Sequence, residues 1–519
     1  MQSSAPEDGP VLAQPRRKRA KHTRSRLGCG VCRIRRIRCD RGRPFCERCT
    51  KTGRKCDGYL PSGEKVPSAD EDRPGKLYLK SRPPSYSLLC GLGGLSISLG
   101  PEAGRSLRYF QQNTALEIAG YFDSDLWSTI VLQISRREQC VQQMVVAIGL
   151  LHESFHHDYA GGYGSSLNQA LRQQAIREYS VGIGLLNNHI STQGWANLEI
   201  TLMCSILCVA FEWMRGDYRA AQTHLWSSLS ILAQWHNKKT TRLSGTSLSS
   251  PSGLLIKTKL RPVCTSLVLQ TRSMPINVYR PWHKVMDIRQ SMKPFESLEQ
   301  AKHSLDVLLS DALPETLCPN TTGQAYQERV WDLARTLTEW SRHFDAYLEK
   351  APDERHSPPV TIMLLWHTSA RILLTASLTE EESSFDKYLP EFSDIVERIE
   401  GLVSSSLTRF SVDIGVVPVL YYVAIKCRHP RVRRKALGML REAPRREAVW
   451  DSLGAACVVA EVIRVEEHGL GEVCGAADVP GASRVCHMDV VTDIENRRIR
   501  ISTMQQGSGA WSKGKILVW

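Results

Sequence analysis

The sequence predicts a mainly α protein in two unequal parts: a small cysteine-organised module and a large all-α domain with a short β tail, joined by a disordered linker. Three observations predict it. Six of the 16 cysteines fall between Cys29 and Cys56. Positive charge gathers at the same end, where residues 1–60 hold 17 Lys and Arg against 5 Asp and Glu, within a chain of net charge +14. From about residue 105 apolar residues recur at helical spacing, as in Leu107, Phe110, Leu116, Ile118, Tyr121 and Phe122.

The cysteines spell C-x2-C-x6-C twice, with six residues between: Cys29, Cys32 and Cys39, then Cys46, Cys49 and Cys56. Two residues between thiols let both reach one metal from a single turn, and the third sulfur arrives from the far end of a short helix. One half supplies three thiolates, whereas a structural zinc needs four. Six thiolates serve two zinc ions only if two sulfurs bridge, which is the composition of a binuclear Zn2Cys6 cluster. Three disulfides are the alternative, but they need an oxidising compartment, and residues 1–26 are basic with no apolar run of a secretory signal. Within the first half, Ile34 and Ile37 are three apart and face the metal core. Arg33, Arg35, Arg36 and Arg38 then ring the rest of the helix. A guanidinium fork matches guanine O6 and N7 in the major groove, and other arginines fix register on phosphates.

This stretch resembles the fungal-type Zn(2)-Cys(6) binuclear cluster transcription factors. Arg33-Ile34-Arg35-Arg36-Ile37-Arg38-Cys39-Asp40 follows that family's Arg-x-Arg-Lys-x-Lys-Cys-Asp with arginine at both lysine positions, and Pro44 stands where the family places a loop proline. The resemblance implies two Zn2+ ions, with Cys29 and Cys46 bridging. Cys32 and Cys39 would complete one site, and Cys49 and Cys56 the other. It also implies a zinc-dependent, sequence-specific regulator of RNA polymerase II genes in the nucleus. Arg36, with Arg35 beside it, would read a CGG-like triplet of double-stranded DNA, and Arg33 and Arg38 would hold phosphates.

In chain order, residues 1–26 read as a disordered basic arm whose Arg16, Arg17, Lys18, Arg19 and Lys21 form a nuclear localisation block. The zinc module spans 27–60 and a linker 61–104. Pro61, Pro67 and Pro74 interrupt any heptad there, so dimerisation is not expected through a coiled coil after the cluster. Residues 105–519 form the helical domain, with helices expected near 138–156, 166–190, 197–214, 217–236, 413–426 and 445–468, and a surface loop at 237–256. Val485 to Val491, Arg497 to Ser502 and Ile516 to Trp519 read as short strands. No apolar run reaches transmembrane length, which argues against a membrane partner. Gly120–Trp127, Phe211–Tyr218, Lys426–Arg434 and Pro444–Trp450 resemble stretches of the same family's helical regulatory domain, with 237–290 fitting least. That implies the transcription machinery or co-regulators as partners.

Rival signals remain. His152-Glu153-Ser154-Phe155-His156 spells H-E-x-x-H, the pattern of a metallohydrolase in which two histidines bind zinc and Glu153 is the base. Tyr159 and Gly162 break the longer metzincin pattern, and Glu178 lies where a third ligand could stand. Met144, Ile148, Leu151 and Phe155 mark an amphipathic helix whose polar side would carry His152 and His156. Cys204 and Cys208 read as small buried hydrophobes. The basic run Arg428 to Arg446 reads as a solvated helical face, and the acidic-aromatic Glu380–Asp394 as a helix connection. A cluster that contacts protein or RNA is a third reading.

Overall fold

The apolar runs Gln139–His157 and Leu198–Arg215 fix the centre of the large domain, because a helix that is apolar nearly all round must be enclosed by others. In the computed structural model these are helices α2 and α4. The structure describes Cys32, Cys39, Asp40, Gly42, residues 45–53 and Cys56 of an N-terminal unit. It also describes residues 100–519, apart from 123–124, 159–164, 195–196, 238–249, 275–292, 318–322, 380, 406–407 and 495. The two units, Met1–Tyr86 and Ser87–Trp519, are taken separately.

Helix α1 (Pro101–Tyr109) runs on through one π-turn, Phe110–Thr114, into Ala115–Glu117. It packs on α2 so closely that a Cβ on Gly149 would sit 2.5 Å from the Ser106 carbonyl oxygen, which only glycine avoids. Helix α3 (Ser166–Gln193) also packs on α2. Its first turn is closed by the Ser165 hydroxyl, which accepts the Asn168 amide. Helix α5 (Tyr218–Asn237) packs on α4.

The next described helix starts at Pro251, inside the stretch expected as loop, and Leu255, Ile256 and Leu260 are buried. It leads into α6 (Arg261–Arg272), whose Cys264, Leu267 and Leu269 join the same core. The segment that fitted the resemblance least therefore contributes to the interior. Helices α7 (Leu298–Leu317), α8 (Gln324–Lys350), α9 (Pro358–Ala376) and α10 (Leu389–Ser405) follow, with α7 packed on α6, α8 and α9. The acidic-aromatic stretch is a connection, as expected: the 3-10 turn Glu382–Tyr388 buries Phe385 and leads into α10.

Helices α11 (Val417–Lys426), α12 (Pro430–Glu442) and α13 (Ser452–Glu466) pack on one another. The helix expected from 445 begins only at Ser452. Residues before it form a hairpin, β2 (Arg446–Glu447) and β3 (Trp450–Asp451), and β1 (Phe410–Ser411) pairs parallel to β2. Two features end the helical run there: Ala448 adopts φ 51°, and the buried Glu447 carboxylate accepts the Val416 and Val417 amides that start α11. The tail forms an antiparallel sheet, β4 (Val485–Asp493), β5 (Arg498–Gln505) and β6 (Lys515–Val518), in that order against α13.

The basic run from Arg428 is not a solvated face throughout. Arg428 and Arg433 are fully buried, both paired with Glu466 at 2.8 and 2.7 Å. Glu382 takes a second contact from Arg428 at 2.9 Å and one from Lys426 at 2.7 Å. Beyond them, the Arg445 guanidinium donates to the Tyr121 hydroxyl at 2.8 Å, and Arg446 donates to the Met214 carbonyl at 3.0 Å. Stretches far apart in sequence, around Tyr121, Met214 and Arg445, thus meet as joints of one fold.

Candidate zinc cluster and nucleic-acid interface

Cys46 immediately precedes the short helix Glu47–Thr50 and Cys49 lies within it, so the two-residue spacing turns both thiols to one side. Against them comes Cys32 from the first half. Cys32 Sγ lies 3.6 Å from Cys46 Sγ and 3.9 Å from Cys49 Sγ. A disulfide would need about 2.05 Å. A zinc tetrahedron with arms of about 2.3 Å has sulfur–sulfur edges of about 3.8 Å, so the donor set and its spacing suit zinc. Cys46 also groups with Cys39 and Asp40, and its amide donates to Cys56 Sγ at 3.5 Å. All five described cysteines of the module are at most 7% exposed and form a core of their own. Among the described residues of the module, this interior is made of sulfur.

Asp40 is a residue whose local task the motif did not reveal. Its carboxylate accepts the Glu47 amide at 2.9 Å, the Arg48 amide at 3.1 Å and the Gly42 amide at 3.3 Å. It thereby caps the helix that carries Cys49, from the end of the first half of the repeat. The Arg48 and Glu47 amides hold its carboxyl down at about 2. The Cys-Asp dipeptide of the motif was the signal for it.

Cys29, Arg33, Arg35, Arg36, Arg38, Pro44 and the basic block Arg16, Arg17, Lys18, Arg19 and Lys21 lie outside the described residues. So do residues 61–99 of the expected linker, whereas its last residues already belong to α1, which starts at Pro101 instead of near 105.

The metallohydrolase reading fails on its base. Arg105 Nη1 donates to both Glu153 oxygens, at 2.6 and 2.8 Å, so that carboxylate is engaged by a cation. Glu178 accepts from Gln143 instead of joining the histidines. His152 is fully buried, which corrects the polar helix face expected for it. Cys204 and Cys208 are buried in α4, as read from sequence.

Known proteins agree with the cysteine geometry. Residues 27–65 match the fungal Zn(2)-Cys(6) binuclear cluster domain, and residues 105–259 the fungal specific transcription factor domain. The aspercryptin biosynthesis cluster-specific transcription regulator atnN of Emericella nidulans is 23% identical over 89% of this chain and 91% of its own. Transcription regulator lscL of Purpureocillium lilacinum is 26% identical over 40% of this chain and 49% of its own. Transcriptional regulatory protein moc3 of Schizosaccharomyces pombe is 43% identical over 11% of each chain. No solved structure matches. With a fungal Zn(2)-Cys(6) cluster domain ahead of a fungal specific transcription factor domain, and a regulator aligned along most of its length, the chain carries the paired domains of a DNA-binding transcription regulator.

Proposed function

We propose that Cys29, Cys32, Cys39, Cys46, Cys49 and Cys56 hold the two zinc ions, with Cys29 and Cys46 bridging, and that the folded cluster offers arginine to one short DNA triplet. The observation that carries this reading is the approach of thiols from both halves of the repeat: Cys32 Sγ lies 3.6 Å from Cys46 Sγ, the edge of one zinc–sulfur tetrahedron with Cys46 as a bridge, while Cys49, a ligand of the neighbouring ion, lies 3.9 Å away. Bound zinc supplies a cross-link and no reacting group. Arg36, beside Arg35, reads a CGG-like triplet in the major groove, Arg33 and Arg38 hold phosphates, and Pro44 turns the chain between the halves. The block Arg16 to Lys21 directs the chain to the nucleus, where it acts on RNA polymerase II genes.

The helical domain serves regulation and takes co-regulators or the transcription machinery as partners. It catalyses nothing, a reading supported by the Arg105 clamp on Glu153. Any dimer forms through this domain. The likeness to a cluster-specific regulator supports a target set of neighbouring biosynthetic genes.

Selection of bound sites from random duplexes, using the full chain with zinc and then with a chelator, tests the reading. Enrichment of a CGG-like triplet only with zinc is the expected result. Equal retention of every duplex would instead favour a cluster that contacts protein or RNA. Arg36→Ala is expected to lose about 1–3 kcal/mol of discrimination at the triplet. Unchanged preference in that variant would remove Arg36 from the reading surface.

A further inference from the structure

The turn that leaves α1 faces two histidines of α2. His152 is fully buried, and its Nδ1 lies 3.0 Å from the Thr114 hydroxyl. His156 Nδ1 lies 3.2 Å from the Tyr109 hydroxyl. Both Nε2 atoms turn toward one carboxylate: His152 Nε2 is 3.7 Å from Glu117 Oε2, and His156 Nε2 is 3.0 Å from Glu117 Oε1. Apart from that carboxylate neither nitrogen has a hydrogen-bond partner among the described residues, although both are shielded from solvent. The carboxylate is itself steadied by the Arg409 amide, 3.0 Å from Oε2.

Buried polar atoms need partners, and here two imidazole nitrogens have a single carboxylate between them. One ligand atom from each of the three side chains lies within 4.8 Å of the other two. A tetrahedral zinc with arms of about 2.0–2.1 Å has edges of about 3.3 Å, so small side-chain rotations bring the set onto one ion. Tying Nδ1 to a fixed polar partner while Nε2 faces inward is also how ligating histidines are oriented. The π-turn Phe110–Thr114 is what places Tyr109, Thr114 and Glu117 along this one side, and such turns concentrate at functional sites.

We propose that Glu117, His152 and His156 form a third metal site, a two-histidine, one-carboxylate centre for Zn2+ that shares no ligand with the cysteine cluster. Three side chains would leave the fourth tetrahedral position to water, and the ion would act as a cross-link, not a catalyst. The glutamate that hydrolysis would require, Glu153, is held by Arg105. The ion would fasten the exit of α1 to α2, and through the Arg409 amide to the segment that starts β1. Three parts of the sequence distant from one another are thereby joined at a single point.

Metal analysis of the full chain after dialysis against Zn2+ tests this. Three zinc ions per wild-type chain and two in the Glu117→Gln/His156→Gln double variant are expected. Two in the wild type, or three retained in the double variant, overturns the site and leaves a plain Glu117–His156 ion pair. A Co2+ titration of the wild type needs no variant. The third equivalent should add d–d absorption without further thiolate-to-cobalt charge transfer, and saturation at two equivalents overturns the site. Failure of the cysteine cluster would read differently, as loss of the charge-transfer bands themselves. Thr114→Val, which removes only the hydroxyl behind His152, should weaken Zn2+ at this site by about 10- to 100-fold. Unchanged affinity would show that the hydroxyl does not orient the ligand.

Discussion

The cysteine module and the helical domain solve the problem of an interior in opposite ways. The module is too short to bury much apolar surface, and its described core consists of Cys32, Cys39, Cys46, Cys49 and Cys56. In the helical domain α2 and α4 are enclosed by hydrocarbon on nearly every side, and its core cluster reaches from Phe110 to Ile501. One part depends on a ligand for its fold, and the other folds on area removed from water. Perturbations should therefore separate them.

Zinc removal should separate them most. Structural zinc supplies about 10–16 kcal/mol to small cysteine modules, so a chelator should abolish duplex binding. Far-ultraviolet circular dichroism should keep most of its helical signal, because α2 to α13 owe little to the cluster. Joint loss of both signals would break the comparison. In the helical domain the largest single liability is Glu466, which faces two buried guanidinium groups. Glu466→Ala should cost about 3–5 kcal/mol, since it leaves Arg428 and Arg433 buried without this partner. The check is the midpoint of urea unfolding, with zinc content at the cysteines unchanged. Gly149→Ala should cost about 1–3 kcal/mol by forcing α1 away from α2. A lower Tm with unaltered duplex binding is the expected pair of readings. The smallest effect concerns charge. If about six phosphates are neutralised, the logarithm of the binding constant should fall with that of salt at a slope near −5. Arg33→Ala should make the slope shallower by about one while weakening all sequences alike.

The zinc module was legible because its chemistry is written locally. A repeated two-residue and six-residue spacing gathers six thiols in one short stretch, and the tetrahedron dictates that two ions can share them only through bridging sulfurs. The helices were legible through their period, and the β tail through alternation, as in the buried Val490, Ile499 and Ile501. The hairpin at Arg446–Asp451 was hidden because helical spacing continues across it, while a positive φ at Ala448 and the pull of Glu447 on two distant amides break the helix. The same holds for the basic run. A row of arginines looks solvated until Glu466, some thirty residues on, is brought beneath it.

The H-E-x-x-H motif divides the two kinds of information most sharply. Spacing alone placed His152 and His156 one turn apart, but it offered Glu153 as the base and Glu178 as the third ligand. The fold assigns Glu153 to Arg105 and brings up Glu117, 35 positions before His152, through a π-turn that no periodicity announces. By itself the sequence determined the cluster, the charge that accompanies it and the helical class, since each follows from neighbours along the chain. Which charges are buried, which acid meets which histidine, and where a helix gives way to a strand were decided only by tertiary packing. Those outcomes depend on distances between residues that the chain keeps far apart.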